Sequence, residues 1–152
     1  MKIQVLFGTE SGNAEMAAED LADSIRNDSQ EVEVHDLSAF SISELHHDTM
    51  YVFLCSTYGE GELPNTALPF YADLSIVHPD LSGVRYAMFG LGDTFYTETY
   101  GQGATKLDDK LTELGAHRVG EIGRYDASSW EPVGEAAVAW FAGVLNEVTA
   151  TR

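Results

Sequence analysis

The chain has 152 residues, the size of one compact domain, and 44% of them are hydrophobic, enough for a sizeable core. The 25 Asp and Glu residues outnumber the 8 Lys and Arg residues, giving a formal net charge of −17. Such a charge would repel nucleic acid and anionic membrane surfaces and attract basic protein partners. We therefore expect a single domain over residues 1–152 that binds neither nucleic acid nor membranes.

The sequence also predicts where the protein works. No apolar run is long enough to cross a bilayer, and the first predicted strand follows the N-terminus without a signal-peptide pattern. The single cysteine, Cys55, excludes an internal disulfide and fits a small core residue at the end of a buried strand. The histidines are scattered without a metal-ligand spacing. These features predict a cytoplasmic protein without a metal site, and we expect it to be a monomer.

Strand and helix patterns alternate through the first half of the chain. Apolar residues at helical spacing predict a first helix over roughly 13–26. A short helical or irregular segment is expected near 41–46. The predicted strands are Ile3–Phe7, Glu31–His35 and Met50–Ser56.

The alternation continues to the end of the chain. Helices are predicted near 65–76, over a segment ending at Gly115, and after a cap near Ser128 and Ser129. Strands are predicted over Arg85–Gly90 and roughly His117–Ile122. The segment before Gly115 carries Ala104, Leu107, Leu111 and Leu114, and the last helix is expected to bury Val133, Ala137, Trp140, Val144 and Val148.

This alternation predicts an α/β fold: a five-stranded parallel sheet covered by helices on both faces, in three layers. The first, third and fourth strands are nearly continuous apolar runs and should be central, whereas the second and fifth are mixed and should form the edges. Right-handed crossovers then give the strand order 2-1-3-4-5. Ligands of such sheets bind beyond the carboxyl ends of the strands, near the switch between strands 1 and 3.

The loop after the first strand, GTESGNA over 8–14, has the composition of a phosphate-binding turn. It lacks the lysine and spacing of a Walker A loop and is not G-x-G-x-x-G. Backbone N–H groups at the start of the helix, with the hydroxyls of Thr9 and Ser11 and the amide of Asn13, can still hold a phosphate monoester. For this loop alone, an ordinary N-capped turn explains the residues equally well.

Two further loops favour a ligand. STYGEGELPN over 56–65 and GLGDTFYTETYGQG over 90–103 follow the third and fourth strands and should reach the same edge of the sheet. Tyr58 and Tyr96 lie among glycines that let the backbone approach a flat ligand, and two aromatics so placed can stack on both faces of a planar ring. A phosphate at one end and a ring between two tyrosines indicate flavin mononucleotide (FMN).

The sequence also resembles a known family. FGTESGNAE, STYGEGELPN and FGLGDTFY resemble the three FMN loops of flavodoxins and of the FMN domains of diflavin reductases, and the resemblance covers essentially the whole chain. The absence of a long insertion after the fifth strand resembles the short-chain flavodoxins. PDLSGVRYAMFGLGD and LTELGAHRVGEIGRYDAS are similar to MioC-type and cindoxin-like members. The resemblance implies a flavodoxin-like fold.

The resemblance also implies a role for individual residues. It assigns the phosphate to Thr9, Glu10, Ser11, Gly12, Asn13 and Ala14. It assigns the isoalloxazine ring to Ser56, Thr57, Tyr58, Gly59 and Gly61, with Tyr96 on the opposite ring face. It implies backbone contacts from Leu91, Gly92 and Asp93, and places Asp126 near the flavin. The stretch after Tyr96 is one residue longer than the family pattern, and Tyr100 and Gly101 are assigned to the site across that difference.

These assignments predict an electron-transfer protein without catalytic residues of its own. It would take electrons from a basic NAD(P)H-dependent flavodoxin or ferredoxin reductase and pass them to an acceptor protein, such as a P450 or a radical or biosynthetic enzyme. Two alternatives remain open: an NAD(P)H:quinone or flavin reductase on the same fold, and a regulatory module without FMN. Steady NADH oxidation without a partner would favour the first, and failure to take up FMN the second.

Overall fold

The computed structural model describes residues 2–8, 12–27, 31–56, 63–64, 66–92, 102–126 and 131–150. The strands are β1 (Lys2–Gly8), β2 (Glu31–Asp36), β3 (Thr49–Ser56), β4 (Arg85–Gly92), β5 (His117–Arg118) and β6 (Gly123–Asp126). The α-helices are α1 (Asn13–Asn27), α2 (Leu68–Val77), α3 (Gln102–Glu113) and α4 (Val133–Ala150). Two 3-10 turns, Leu37–Ala39 and Ile42–Glu44, lie between β2 and β3.

The strands form one parallel sheet in the order β2-β1-β3-β4-β5, and β6 also pairs with β4. This order confirms the predicted topology, with its switch between β1 and β3. The central strands β1, β3 and β4 are almost entirely buried, while β2 alternates between buried and exposed residues near its start. The apolar runs in the sequence therefore correctly separated central strands from edge strands.

Helices cover both faces of the sheet and create two cores. On one face, Val5, Val52 and Phe89 pack against the buried sides of α1 and α4. On the other face, Phe53 and Met88 pack in a cluster that includes buried residues of α2 and α3. The two cores differ because successive side chains of a strand point to opposite faces. Within the described part of the chain, no helix is both long and apolar enough to span a bilayer.

The predicted single fifth strand over 117–122 is wrong in its extent. Its place is taken by β5 and β6, which both pair with β4 but are separated by residues 119–122. Gly120 has φ +75°, in the left-handed region that an extended strand cannot contain. The side chain of Arg118 donates from Nε to the carbonyl of Gly120 at 3.0 Å and so stabilises this bend. The hydrophobic pattern carried no signal for the interruption.

Two helices begin later than the sequence predicted. Helix α2 begins at Leu68, after a 2.9 Å hydrogen bond from the N–H of Ala67 to the carbonyl of Pro64. Helix α4 begins at Val133, and the proposed cap at Ser128 and Ser129 lies outside the described residues.

The buried face of α4 is mostly as predicted. Val133, Ala137 and Val144 are buried, whereas Trp140 is only half-buried and Phe141, beside it, is buried. The side chain of Val148 lies outside the described part of the chain.

Two glycines of α4 form a matched pair for testing how α1 packs against α4. A Cβ on Gly134 would collide with the side chain of Asp20 on α1, whereas a Cβ on Gly143 meets nothing within 4 Å. Alanine is the better helix former by roughly 0.5–1 kcal/mol. We expect Gly143→Ala to raise the free energy of unfolding by about that amount, and Gly134→Ala to lower it by about 1–3 kcal/mol through overpacking. Urea unfolding of both variants tests this, and stabilisation by both would contradict the contact.

Candidate functional site

The carboxyl ends of the central strands lie side by side. Ser56 of β3 is paired with Leu91 of β4, and Gly92 at the end of β4 is paired with Asp126 at the end of β6. Gly8 at the end of β1 is paired with Cys55, one residue before Ser56. The structure therefore brings Ser56, Leu91, Gly92 and Asp126 to one edge of the sheet.

The start of helix α1 supplies a second group of predicted site residues. Gly12 has φ +89°, a conformation that favours glycine, and a Cβ placed there meets no described atom within 4 Å. The first helical hydrogen bond runs from the N–H of Met16 to the carbonyl of Gly12 at 3.0 Å. The N–H groups of residues 13–15 therefore have no acceptor within the helix. The methyl group of Ala14 is fully buried, so Ala14 can contribute to a site only through its backbone.

A row of small residues crosses the sheet just below this edge. Gly8, Cys55 and Gly90 are paired neighbours on β1, β3 and β4, and we call them the small-residue row. A Cβ on Gly8 would lie 2.9 Å from Cβ of Ala67, and a Cβ on Gly90 would lie 2.9 Å from Cβ of Ala104. Real Cβ atoms do not approach so closely, so both strand positions require glycine at the observed spacing.

The contacts of the small-residue row fix the ends of two predicted cofactor loops. Ala67 follows the loop after β3, and Ala104 belongs to the first turn of α3, which follows the loop after β4. The residue that follows the loop after β3 therefore packs against the neighbouring strand β1, and the residue that follows the loop after β4 packs against β4 itself. Both glycines could be predicted as loop residues, but their partners could not, because a close Gly–Ala contact between distant residues leaves no periodic signal in the sequence.

Cys55 fills the middle of the small-residue row. Its side chain is fully buried, and burial raises the pKa of the thiol to about 12. At neutral pH the group is therefore a protonated thiol, which is a poor nucleophile and metal ligand. The prediction that Cys55 is a small core residue is confirmed.

Side-chain direction separates the edge residues into two sets. Leu91 is buried among the residues that face α1 and α4, so only its backbone is available at the edge. Gly92 and Asp126 alternate with Leu91 and Tyr125 and lie on the opposite face of the sheet. The Tyr125 hydroxyl donates to the carbonyl of Glu131 at 2.9 Å and bridges the segment that follows Asp126.

The other predicted site residues lie outside the described part of the chain and remain predictions. They are Thr9, Glu10, Ser11, Thr57, Tyr58, Gly59, Gly61, Asp93, Tyr96, Tyr100 and Gly101. Among the described residues, no three His, Cys, Asp or Glu side chains are grouped so as to hold a metal ion.

Comparison with known proteins identifies the family to which this chain belongs. A family model described as flavodoxin matches residues 5–140. The chain belongs to the flavodoxin family. The flavodoxin of Maridesulfovibrio salexigens is 30% identical over 150 residues, and the match covers 97% of this chain and 99% of that protein. The resemblance seen in the three loop sequences is thereby confirmed.

Larger proteins match over only part of their length. The NADPH-dependent diflavin oxidoreductase 1 of Schizosaccharomyces pombe is 31% identical over 153 residues, covering 99% of this chain but 26% of that protein. The NADPH–cytochrome P450 reductase of Oryctolagus cuniculus is 36% identical over 129 residues, covering 82% of this chain and 19% of that protein. This flavodoxin-type chain therefore spans about a quarter or less of these relatives.

Solved structures agree with the fold. Oxidised flavodoxin 2 from Bacillus cereus superposes with a TM-score of 0.83 at 29% identity, covering 97% of this chain and 99% of that one. A short-chain flavodoxin associated with a PDU bacterial microcompartment gives 0.80 at 28% identity, covering 96% and 97%. The three-layer α/β sandwich is thus that of the flavodoxins.

Flavodoxins bind FMN, and the described residues fit that cofactor. The first turn of α1 presents backbone N–H donors beside a bare Gly12, which suits a phosphate in a loop whose residues 9–14 contain no lysine or arginine. Leu91 and Gly92 offer backbone at the edge next to Ser56, which suits the polar end of a flat ring.

The Gly90–Ala104 contact generates a prediction about this site. Gly90→Ala should push the first turn of α3 away from β4, lowering stability by about 1–3 kcal/mol and weakening FMN binding. Ala104→Gly removes the opposing methyl group, although glycine in a helix costs about 1 kcal/mol itself. We expect the double variant to be more stable than the sum of the single effects by at least roughly 0.5 kcal/mol. Additive effects in urea unfolding would show that the two positions are not in contact.

Proposed function

We propose that this protein is a cytoplasmic FMN electron carrier. It accepts electrons from an NAD(P)H-dependent reductase and delivers them to a second protein. The observation that carries the proposal is the start of α1 at the topological switch of a flavodoxin fold, where Gly12 has φ +89°, a Cβ placed on it would meet no described atom within 4 Å, and the first-turn N–H groups follow. Bound FMN supplies the redox chemistry, since a flavin can exchange electrons singly or as hydride.

The chain itself holds and orients the cofactor in this proposal. The N–H groups of residues 13–15 hold the phosphate at the positive end of the helix dipole. Tyr58 and Tyr96 cover the ring, and the backbone of Leu91 and Gly92 contacts its polar end. In this proposal the chain acts by binding and orienting the cofactor.

The names of the relatives support an NADPH-derived electron supply. The diflavin oxidoreductase and the cytochrome P450 reductase carry NADPH in their names, and their matching segments are similar to this chain. We propose that a separate basic reductase plays that part here, because the charge of −17 favours basic partners. A P450 or another biosynthetic enzyme is the proposed acceptor class.

A single anaerobic experiment tests the carrier function. The FMN-loaded protein is mixed with NADPH, first alone and then with a ferredoxin–NADP⁺ reductase, and the loss of flavin absorbance is followed. We expect reduction only in the presence of the reductase. Rapid reduction by NADPH alone, with turnover of a quinone, would instead establish the alternative of a flavin or quinone reductase.

The phosphate site predicts a preference for FMN over riboflavin. Charge-assisted hydrogen bonds contribute about 1.5–3 kcal/mol each. One or two such bonds from the start of α1 should therefore make FMN bind between roughly tenfold and 10⁴-fold more tightly than riboflavin. Fluorescence titration of the apoprotein with both flavins measures the ratio. Equal dissociation constants would show that the start of α1 does not bind the phosphate.

The acidic charge predicts salt-dependent electron transfer. The Debye length falls from about 30 Å at 0.01 M salt to about 10 Å at 0.1 M, so transfer from a basic reductase should slow as salt rises. Charge reversal at Glu62 or Glu98, in the loops of the proposed flavin edge, should slow it further at low salt. Stopped-flow rates across an ionic-strength series measure both effects.

Glu31→Lys is the matched control for these charge reversals. Glu31 is exposed and is paired with Lys2 at the amino end of the sheet, opposite the proposed flavin edge. It changes the net charge by the same amount, so its effect on the rate should be smaller if docking is at the carboxyl edge. Equal effects from all three reversals would indicate steering by net charge alone.

A further inference from the structure

A buried polar network ties α3 to β4 and β5 near the start of β4. Asp108 of α3 is almost fully buried, and its carboxylate accepts a 2.6 Å hydrogen bond from the hydroxyl of Tyr86 on β4. The other carboxylate oxygen lies 2.6 Å from Nη1 of Arg118 on β5. We call these three residues the Asp108 network. It joins one helix to two neighbouring strands.

The Asp108 network lies in line with the Gly90–Ala104 contact. Ala104 and Asp108 are four residues apart and share one face of α3. Gly90 and Tyr86 are also four residues apart and share one face of β4. Because the helix and the strand run in opposite directions, Ala104 meets Gly90 near the carboxyl edge while Asp108 meets Tyr86 deeper in the sheet. Helix α3 is thus held at two points along the same strand.

The two points constrain the helix differently. The Gly90–Ala104 contact sets how closely α3 approaches β4 but does not favour one rotation of the helix strongly, because apolar contacts are non-directional. The hydrogen bonds of Asp108 have fixed donors and acceptors, so rotation or sliding of α3 would leave a buried carboxylate without partners. Burial, aided by the hydrogen bond to Asp108, raises the pKa of Tyr86, so its hydroxyl remains a donor at neutral pH.

We propose that Asp108 is a positioning residue for the flavin site: through Tyr86 and Arg118 it sets the rotation and axial position of α3, and so holds the first turn of α3 over the carboxyl end of β4. This inference rests on the FMN site proposed above. It assigns a role in flavin binding to a carboxylate that lies below the site and contacts no flavin atom.

The test uses a variant that removes the hydrogen bond but not the packing. In Tyr86→Phe/Asp108→Leu, both partners become apolar groups of similar size, a change that is often neutral for stability. Arg118 is partly exposed and can turn its head to water. Urea unfolding checks that the variant is folded, and fluorescence titration gives its dissociation constants for FMN and riboflavin.

We expect both dissociation constants to rise about tenfold while their ratio stays unchanged. The ratio of the two constants reports the phosphate site at the start of α1. Helix α1 packs on the opposite face of the sheet from α3, so the change at Asp108 should not affect that ratio. Wild-type constants for both flavins in the folded variant would overturn the proposal. A loss of the preference for FMN over riboflavin as large as the loss of affinity would also overturn the proposal. That result would indicate that the variant loosens the whole cofactor site, including the phosphate site.

Two further variants complete the design. Val144→Ala creates a cavity in the core beneath α4 and lowers stability, but it should leave both dissociation constants unchanged. A loss of affinity equal to that of the double variant would show that Asp108 contributes only to general stability.

Should the double variant fail to fold, Asp108→Asn keeps the size and the acceptor for Tyr86 but turns a donor toward Arg118. It should weaken both flavins about threefold to tenfold, and no change would overturn the proposal. A wild-type protein that binds no FMN would instead contradict the proposed function.

Discussion

The absence of side-chain volume at Gly8 and Gly90 is the constraint on which the carboxyl edge depends. In a parallel sheet, each loop must leave one strand end and return along a helix, and how closely it returns depends on what projects from the strands. Here Ala67 and Ala104 approach to a distance that even a methyl group on either glycine would forbid. Cys55, between them, contributes a small and fully buried side chain. These three small residues therefore determine how closely the segments that follow the loops can approach the carboxyl edge, independently of any ligand.

The sequence predicted the topology of the sheet but not every detail of its strands. The topology followed from apolar runs and right-handed crossovers, since central strands such as β3 are buried along almost their whole length and show this in their composition. The division of the fifth strand did not follow, because it depends on the backbone of Gly120 and on a side chain of Arg118 that bonds to it. Local patterns report average burial, whereas such a bend is a single backbone conformation.

The same contrast, between features visible in the local sequence and contacts between distant residues, holds for α1 and α3 near the candidate site. The start of α1 at Asn13, directly after Gly12, could be predicted because an apolar strand pattern, a hydroxyl-rich segment and a helical pattern follow one another directly in the sequence. Asp108 could not be, since its position in α3 shows only that one polar residue interrupts an apolar face. Its partners Tyr86 and Arg118 are 22 and 10 residues away in sequence. Only the fold shows that this interruption is a hydrogen-bonded contact with two strands.

The overall charge and the local site chemistry act over different distances. A net charge of −17 opposes the approach of any phosphate, but those charges that lie beyond a Debye length, about 10 Å at 0.1 M salt, are largely screened. The N–H groups at the start of α1 act at contact, where screening is weak. A phosphate can therefore be held by backbone dipoles within an acidic protein, and the unscreened part of the charge remains free to attract a basic partner. This separation would let an acidic chain bind an anionic cofactor and still attract the basic reductase proposed above.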